Sequence, residues 1–188
     1  WDPHLIVDLH TTNGSYHGYS LTWSPGLNPN DTPANAWVRE ALLPGVRERL
    51  RKQYRTETFP YGNFRSQHPD SLVLGWETYD ARPRFGTNAM GLRGRLAILS
   101  EGYSNDPFPR RIEATYQFVT EVLRALAKES RRVREVVRQS AELRPDSVTV
   151  RSRLAPAARQ PVIAELTEPD GDGAGPFARR KRTGKFVT

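Results

Sequence analysis

The 188-residue chain contains no cysteine and a single methionine. Without thiols there is no disulfide and no thiolate zinc site, so any metal has to be held by nitrogen and oxygen. Long apolar runs are missing too: none approaches the roughly 18–20 residues needed to span a bilayer, which excludes a membrane-spanning helix. No signal peptide is visible. The chain opens on Trp1 rather than methionine, which fits a processed protein or a piece of a longer one. The common catalytic signatures are absent as well. There is no HExxH and no G-x-S-x-G elbow, since "GSYHG" has its serine one place early. "GDGAG" lies in an acidic linker, so it is no phosphate loop.

The formal charge of +7 raises a nucleic-acid reading, so its placement matters. Residues 1–109 carry 11 Lys/Arg against 11 Asp/Glu, and residues 110–188 carry 17 against 10. The excess therefore sits in a charged helix and in "RRKR" (179–182), away from the chemistry-rich front half. Charge runs of this kind are ordinarily solvated faces or tails. Binding through them would weaken steeply with salt, but aromatic stacking residues are scarce among these basic positions. No nucleic-acid partner is expected.

Fifteen prolines and fourteen glycines imply much loop. "HLIVDLH" (4–10) and "RLAILSE" (95–101) read as buried strands, each ending abruptly on an ionisable residue. Residues 11–30 read as a long, polar, ligand-facing loop with at most a short strand. Asp31 or Thr32 can cap a helix carrying Trp37, Val38, Leu42, Val46 and Leu50, which Pro44-Gly45 should kink or split. "TETFPYGNF" (56–64) is strand-like and leads to a turn through His68-Pro69-Asp70, and residues 70–94 read mostly as loop. The clearest helix follows, capped by Asn105 or Asp106, with Ile112, Tyr116, Val119, Val122, Leu123 and Leu126 as one stripe. A break is expected near 129–131. Beyond Ser147, "SVTVRSRL", "PVIAEL" and "KFVT" alternate like short strands, parted by "EPDGDGAG" (168–175). The fold class is thus α/β up to about residue 145, with a small, truncated β-rich appendage over 146–188.

Ligand sites in open α/β sheets gather beyond the carboxyl ends of strands, where His10 and Glu101 both fall. His10 reads either as a structural residue or as a ligand. Glu101, after six largely apolar residues, is costly unless paired or set at a cleft. Two readings stay open for it: a general base with raised proton affinity, or a core ion pair with Arg82, Arg84 or Arg93.

Three blocks, "DLHTTNGSYH", "YDARPRF" and "GLRGRLAILSEGYS", together resemble the zinc carboxypeptidases, the carboxypeptidase A-like metallopeptidases. The likeness is closest to bacterial members whose catalytic strand reads much like "GLRNRIAILSE". It spans about residues 1–128 and implies a mixed-sheet domain with flanking helices. It places His10 as the later of that family's zinc ligands and Glu101 as the general base. Tyr79 falls where the family carries a mobile tyrosine that closes over substrate, and Arg84 is a candidate for the substrate carboxylate or, equally, a structural clamp. Gly14 would let backbone approach the metal cleft. The His-x-x-Glu pair supplying the other ligands is missing from these residues, so residues 1–145 read as the C-terminal part of a catalytic domain, inactive alone. Peptide is the implied substrate, and the resemblance is compatible with export. Two relatives of the same fold stay open: an amide deacylase, and a non-catalytic peptide- or glycan-binding protein.

Overall fold

A computed structural model describes residues 1–67, 75–157, 159–171 and 180–188. The expected turn at His68-Pro69-Asp70 lies outside these, as do Arg179 and the second half of the 168–175 linker.

The centre is a four-stranded mixed sheet made of β1 (Leu5–Thr11), β2 (Leu21–Pro25), β3 (Thr58–Pro60) and β6 (Leu96–Gly102), in the order β1-β6-β2-β3. Strands β1 and β6 run parallel, β2 is antiparallel to β6, and β3 is parallel to β2. Two small ribbons accompany it: β4 (Asn63–Phe64) with β5 (Trp76–Glu77), and β7 (Ala164–Pro169) with β8 (Arg180–Val187). The expected strands at 4–10 and 95–101 are therefore present, shifted by one residue. Strand β2 is the short strand allowed within the 11–30 span, but all five of its residues are buried, so this part of the span is not a surface loop. Pairing with β6 on one side and β3 on the other makes this short Trp-Ser-Pro-containing stretch a strand.

Side chains alternate across a strand, and the two faces of this sheet differ sharply. Leu5 and Val7, Leu96 and Ile98, and Leu21 and Trp23 point to one side and join a single core with Val38, Leu42, Val46, Phe118, Val122 and Val136. The helices on that side are α1 (Pro33–Trp37), α2 (Leu43–Arg49), α4 (Phe108–Lys128) and α5 (Ser130–Glu142). Thr32 caps α1, its hydroxyl accepting from the Asn35 amide. No split occurs at Pro44. Instead π-helical turns at Val38–Leu42 and Leu50–Tyr54 flank α2 and keep the run continuous. A widened turn relieves the clash of a proline ring with the preceding turn and absorbs its missing N–H.

Helix α4 departs from its expected cap and face. Pro107 precedes it, and neither Asn105 nor Asp106 makes a side-chain cap. The expected stripe is divided: Val122 is buried with Ala114 and Phe118, and Val119 and Leu126 pack against the core, whereas Ile112, Tyr116 and Leu123 are more than half exposed. The break at Glu129, between α4 and α5, is where the charge density predicted it.

The opposite face of the sheet is polar and holds Asp8, His10, Thr22, Ser24 and Glu101. Helix α3 (Gly86–Leu92), in a stretch read as loop, packs there against β1 and β6. Its two glycines hide it from pattern reading, and its buried Thr87 and Asn88 explain its place: Asn88 donates to the Asp80 and Arg82 carbonyls and accepts from the Leu27 amide. Of the expected C-terminal strands, "SVTVRSRL" is irregular and exposed, because no partner strand lies beside it. β7 and β8 do form, as an antiparallel hairpin. None of the helices among the described residues is long and apolar enough to cross a membrane.

Candidate functional site

Register decides the site. His10 of β1 and Glu101 of β6 are direct partners across parallel strands, and Glu101 is also opposite Thr22 of β2. Direct partners in adjacent strands share a face, roughly 5 Å apart. The two residues that end the buried strands thus meet at one end of the sheet, with Asp8 two residues before His10 on the same side.

Glu101 is 8% exposed. Its Oε2, like Thr22 Oγ1, has no hydrogen-bond partner among the described residues. No ion pair to Arg82, Arg84 or Arg93 forms: Arg82 binds Asp80, and Arg84 lies over the Phe85 ring at 4.3 Å. Burial raises the proton affinity of Glu101, His10 opposes the rise, and the Asp8 charge adds to it. A buried carboxylate with a free oxygen is a costly arrangement unless something else approaches that oxygen.

His10 Nε2 lies 2.9 Å from Asp8 Oδ1, with both side chains about half exposed. Asp8 was not singled out by sequence reading, although the i, i+2 spacing in "DLH" is the signal that puts a carboxylate beside the imidazole. Such a pair fixes ring orientation and leaves the other nitrogen open.

Tyr79 lies on this face. Its hydroxyl is 3.2 Å from Thr87 Oγ1 and also bonds Ser24. Burial raises its pKa, and the charges of Glu101 and Asp8 raise it further. Tyr61, a second residue missed by sequence reasoning, packs its ring 5.8 Å from that of Tyr79. It too is pushed up by burial and by Glu101. Tyr79 in turn packs 4.7 Å from Phe85, the ring beneath Arg84. The result is an aromatic wall, Tyr61–Tyr79–Phe85, with an exposed guanidinium at its outer end.

The loop after His10 is held by protein. The Ser15 amide donates to Asn63 Oδ1 at 2.8 Å, and the Phe64 amide donates to Ser15 Oγ at 2.7 Å. A Cβ at position 14 would collide with the Asn63 amide, so Gly14 makes room for Asn63 and not for a metal cleft. Beyond the other end of β2, a cleft of about 480 Å³ is bounded by Asn28, Arg39, Arg82 and Arg153. It includes none of His10, Tyr79, Arg84 or Glu101.

Among the described residues no three His, Cys, Asp or Glu side chains converge to hold a metal. One imidazole with a paired carboxylate does not make a zinc site, so these residues alone do not fit the ion. What they supply is a positioned imidazole, a buried carboxylate and an aromatic wall. No family model, curated protein or solved structure matches the chain.

Proposed function

We propose that this chain carries the base-bearing part of a zinc-dependent peptidase of carboxypeptidase type, with Glu101 as general base and His10 as one metal ligand. The observation that supports the reading is the Glu101 carboxylate: buried, without an ion pair, one oxygen free, and in register with His10. A carboxylate whose proton affinity is raised by burial can take a proton from an adjacent water and return it to a leaving amine. On this reading a peptide lies along the Tyr61–Tyr79–Phe85 wall. Arg84 offers its cation to the substrate's free carboxylate, and Asp8 holds the His10 ring. The remaining ligands come from polypeptide other than the described residues, since those provide only His10.

A recognition role without catalysis is favoured by one observation. The Tyr79 hydroxyl is already tied to Thr87 and Ser24, which suits a rigid binding wall better than a closing group.

The test uses the product of the complete reading frame, assayed for zinc content and for release of C-terminal residues from peptides. Glu101→Gln should lower kcat by about 10²–10⁴-fold with little change in KM, the usual contribution of a positioned base. Zinc content should stay unchanged. A zinc-free protein that binds peptides without cleaving them would move the assignment to the non-catalytic relative. Preference for N-acylated amino acids over peptides would identify the deacylase variant.

A further inference from the structure

Two polar atoms of the site are orphaned side by side. Glu101 Oε2 and Thr22 Oγ1 are both enclosed, and neither has a hydrogen-bond partner among the described residues. Thr22 is 0% exposed and lies in an inner strand, with β6 on one side and β3 on the other. Polypeptide from elsewhere reaches these two atoms only by displacing what already covers them. A buried polar atom left unbonded carries the full cost of its desolvation, so its partner has to be close by.

Register narrows the choice to one pair. Tyr103 N donates to Ser20 O, which makes these two a hydrogen-bonded antiparallel pair. Alternation makes Thr22 and Glu101 the next pair of the same kind. Their main chains are therefore locked together, and their side chains share one face with Cβ atoms about 5 Å apart. On its other side Thr22 is opposite Phe59, whose side chain has no nitrogen or oxygen. The hydroxyls two residues before and after Thr22 are engaged: Ser20 Oγ accepts from Arg110, and Ser24 Oγ donates to the Pro25 carbonyl. On the far side of Glu101, His10 Nε2 is taken by Asp8. The Thr22 hydroxyl and Glu101 Oε2 are left for each other, the first able to donate and the second, when ionised, only to accept.

We propose that Thr22 is a positioning residue for Glu101: its hydroxyl donates to Oε2, directly after a turn about the side-chain bonds or through one bridging water. The last torsion of a glutamate is soft, and a bond to one oxygen fixes the plane of the carboxylate. Oε2 is then the held oxygen. Oε1, which is outside the enclosed pair, is the oxygen turned toward a water and the one that takes its proton. The catalytic consequence rests on the peptidase reading, whereas the Thr22–Glu101 bond does not. Valine keeps the branched shape of Thr22 and removes the hydroxyl; serine keeps the hydroxyl and removes the methyl.

The test uses the product of the complete reading frame with Thr22→Val or Thr22→Ser, read in two ways. The infrared carboxylate band of Glu101 is isolated as the difference between each protein and its Glu101→Gln counterpart at one fixed pH. It should shift in Thr22→Val and stay in place in Thr22→Ser, with circular dichroism unchanged in both. Thr22→Ala should give the same shift as Thr22→Val, so the result does not hang on one variant. In peptide hydrolysis, Thr22→Val should lower kcat by about 10–100-fold, the worth of one hydrogen bond to a charged group. KM should hold, and Thr22→Ser should restore most of the rate. An unmoved band overturns the proposal, as does a shifted band with unchanged kcat, or a loss that serine does not restore. If the natural protein releases no residue from peptides, the peptidase reading has failed, and the band still decides the Thr22–Glu101 bond.

Discussion

His17 shows what one buried side chain does to stability. It is 2% exposed, its ring 4.3 Å from Tyr103 and 5.7 Å from both Tyr19 and Trp76. Its Nδ1 accepts from the Tyr19 amide. Burial lowers its pKa from 6.5 to about 4, with a smaller push from Arg182. The unfolded chain therefore binds a proton that the folded chain refuses between these values. The contribution of neutral His17 is complete above pH 6.5 and is lost as pH falls toward 4. A shift of this size corresponds to about 3 kcal/mol. Urea midpoints followed from pH 7 to pH 4 should fall in the natural protein, and His17→Gln should lack that share of the slope. Parallel curves would show that the ring titrates normally. The same cage was invisible in the sequence, where His17 stood only as a histidine seven places after His10.

Helix α4 carries more apolar surface than the sheet can cover, and the structure buries only part of the conspicuous stripe: Val122 is buried and Val119 and Leu126 pack on the core, but Tyr116 does not. Phe118 is fully buried against the sheet, whereas Tyr116, two residues earlier, is 71% exposed. Phe118→Ala should cost about 3–5 kcal/mol through lost burial and the cavity left behind. Tyr116→Ala should change stability by no more than about 0.5 kcal/mol. Chemical denaturation of the two variants distinguishes them directly. The sequence stripe predicted the reverse for Tyr116, because a single amphipathic pattern says which side chains cluster but not which cluster meets the sheet. Glu121 adds to the confusion. It is buried to 1% and bound by Arg49, Tyr54 and Arg124, so a charged position lies on the inner face.

At the scale of the molecule, one buried ion pair joins the two strands of the C-terminal hairpin, and the same two residues carry contacts to the front half. Glu165 is 1% exposed and accepts from Arg182 Nε at 2.6 Å and from the Gly184 amide at 3.0 Å. The Arg182 guanidinium also lies 5.6 Å from the Tyr103 ring centre and donates to the Asn105 carbonyl. The Glu165 amide in turn donates to the Tyr16 carbonyl. Removing one partner of such a pair leaves an uncompensated buried charge, a loss of about 3–5 kcal/mol. Arg182→Met should therefore release the hairpin, seen as faster proteolysis near 164–187 and exposure of Tyr16 and His17. Equal cleavage rates would show that the hairpin is held by other contacts. This arrangement gives the region read as an appendage a structural link to the loop that follows His10.

Local sequence determined the apolar runs of β1 and β6, the Thr32 cap, the break at Glu129 and the candidates His10 and Glu101, because each depends on neighbours in the chain. Strand alternation and the abrupt onset of polarity are enough to mark a strand that ends at a site. The tertiary structure alone decided the rest. Parallel register set His10 opposite Glu101, and β2 became a strand because β6 offered it hydrogen bonds. Thr87 and Asn88 found partners only through the fold around α3. Tyr61 and Asp8 joined the site through packing and side-chain alternation, and burial left one Glu101 oxygen without a partner. These are long-range outcomes, fixed by which surfaces meet, and the physical reason is that hydrogen-bond pairing and desolvation act between segments that the sequence holds far apart.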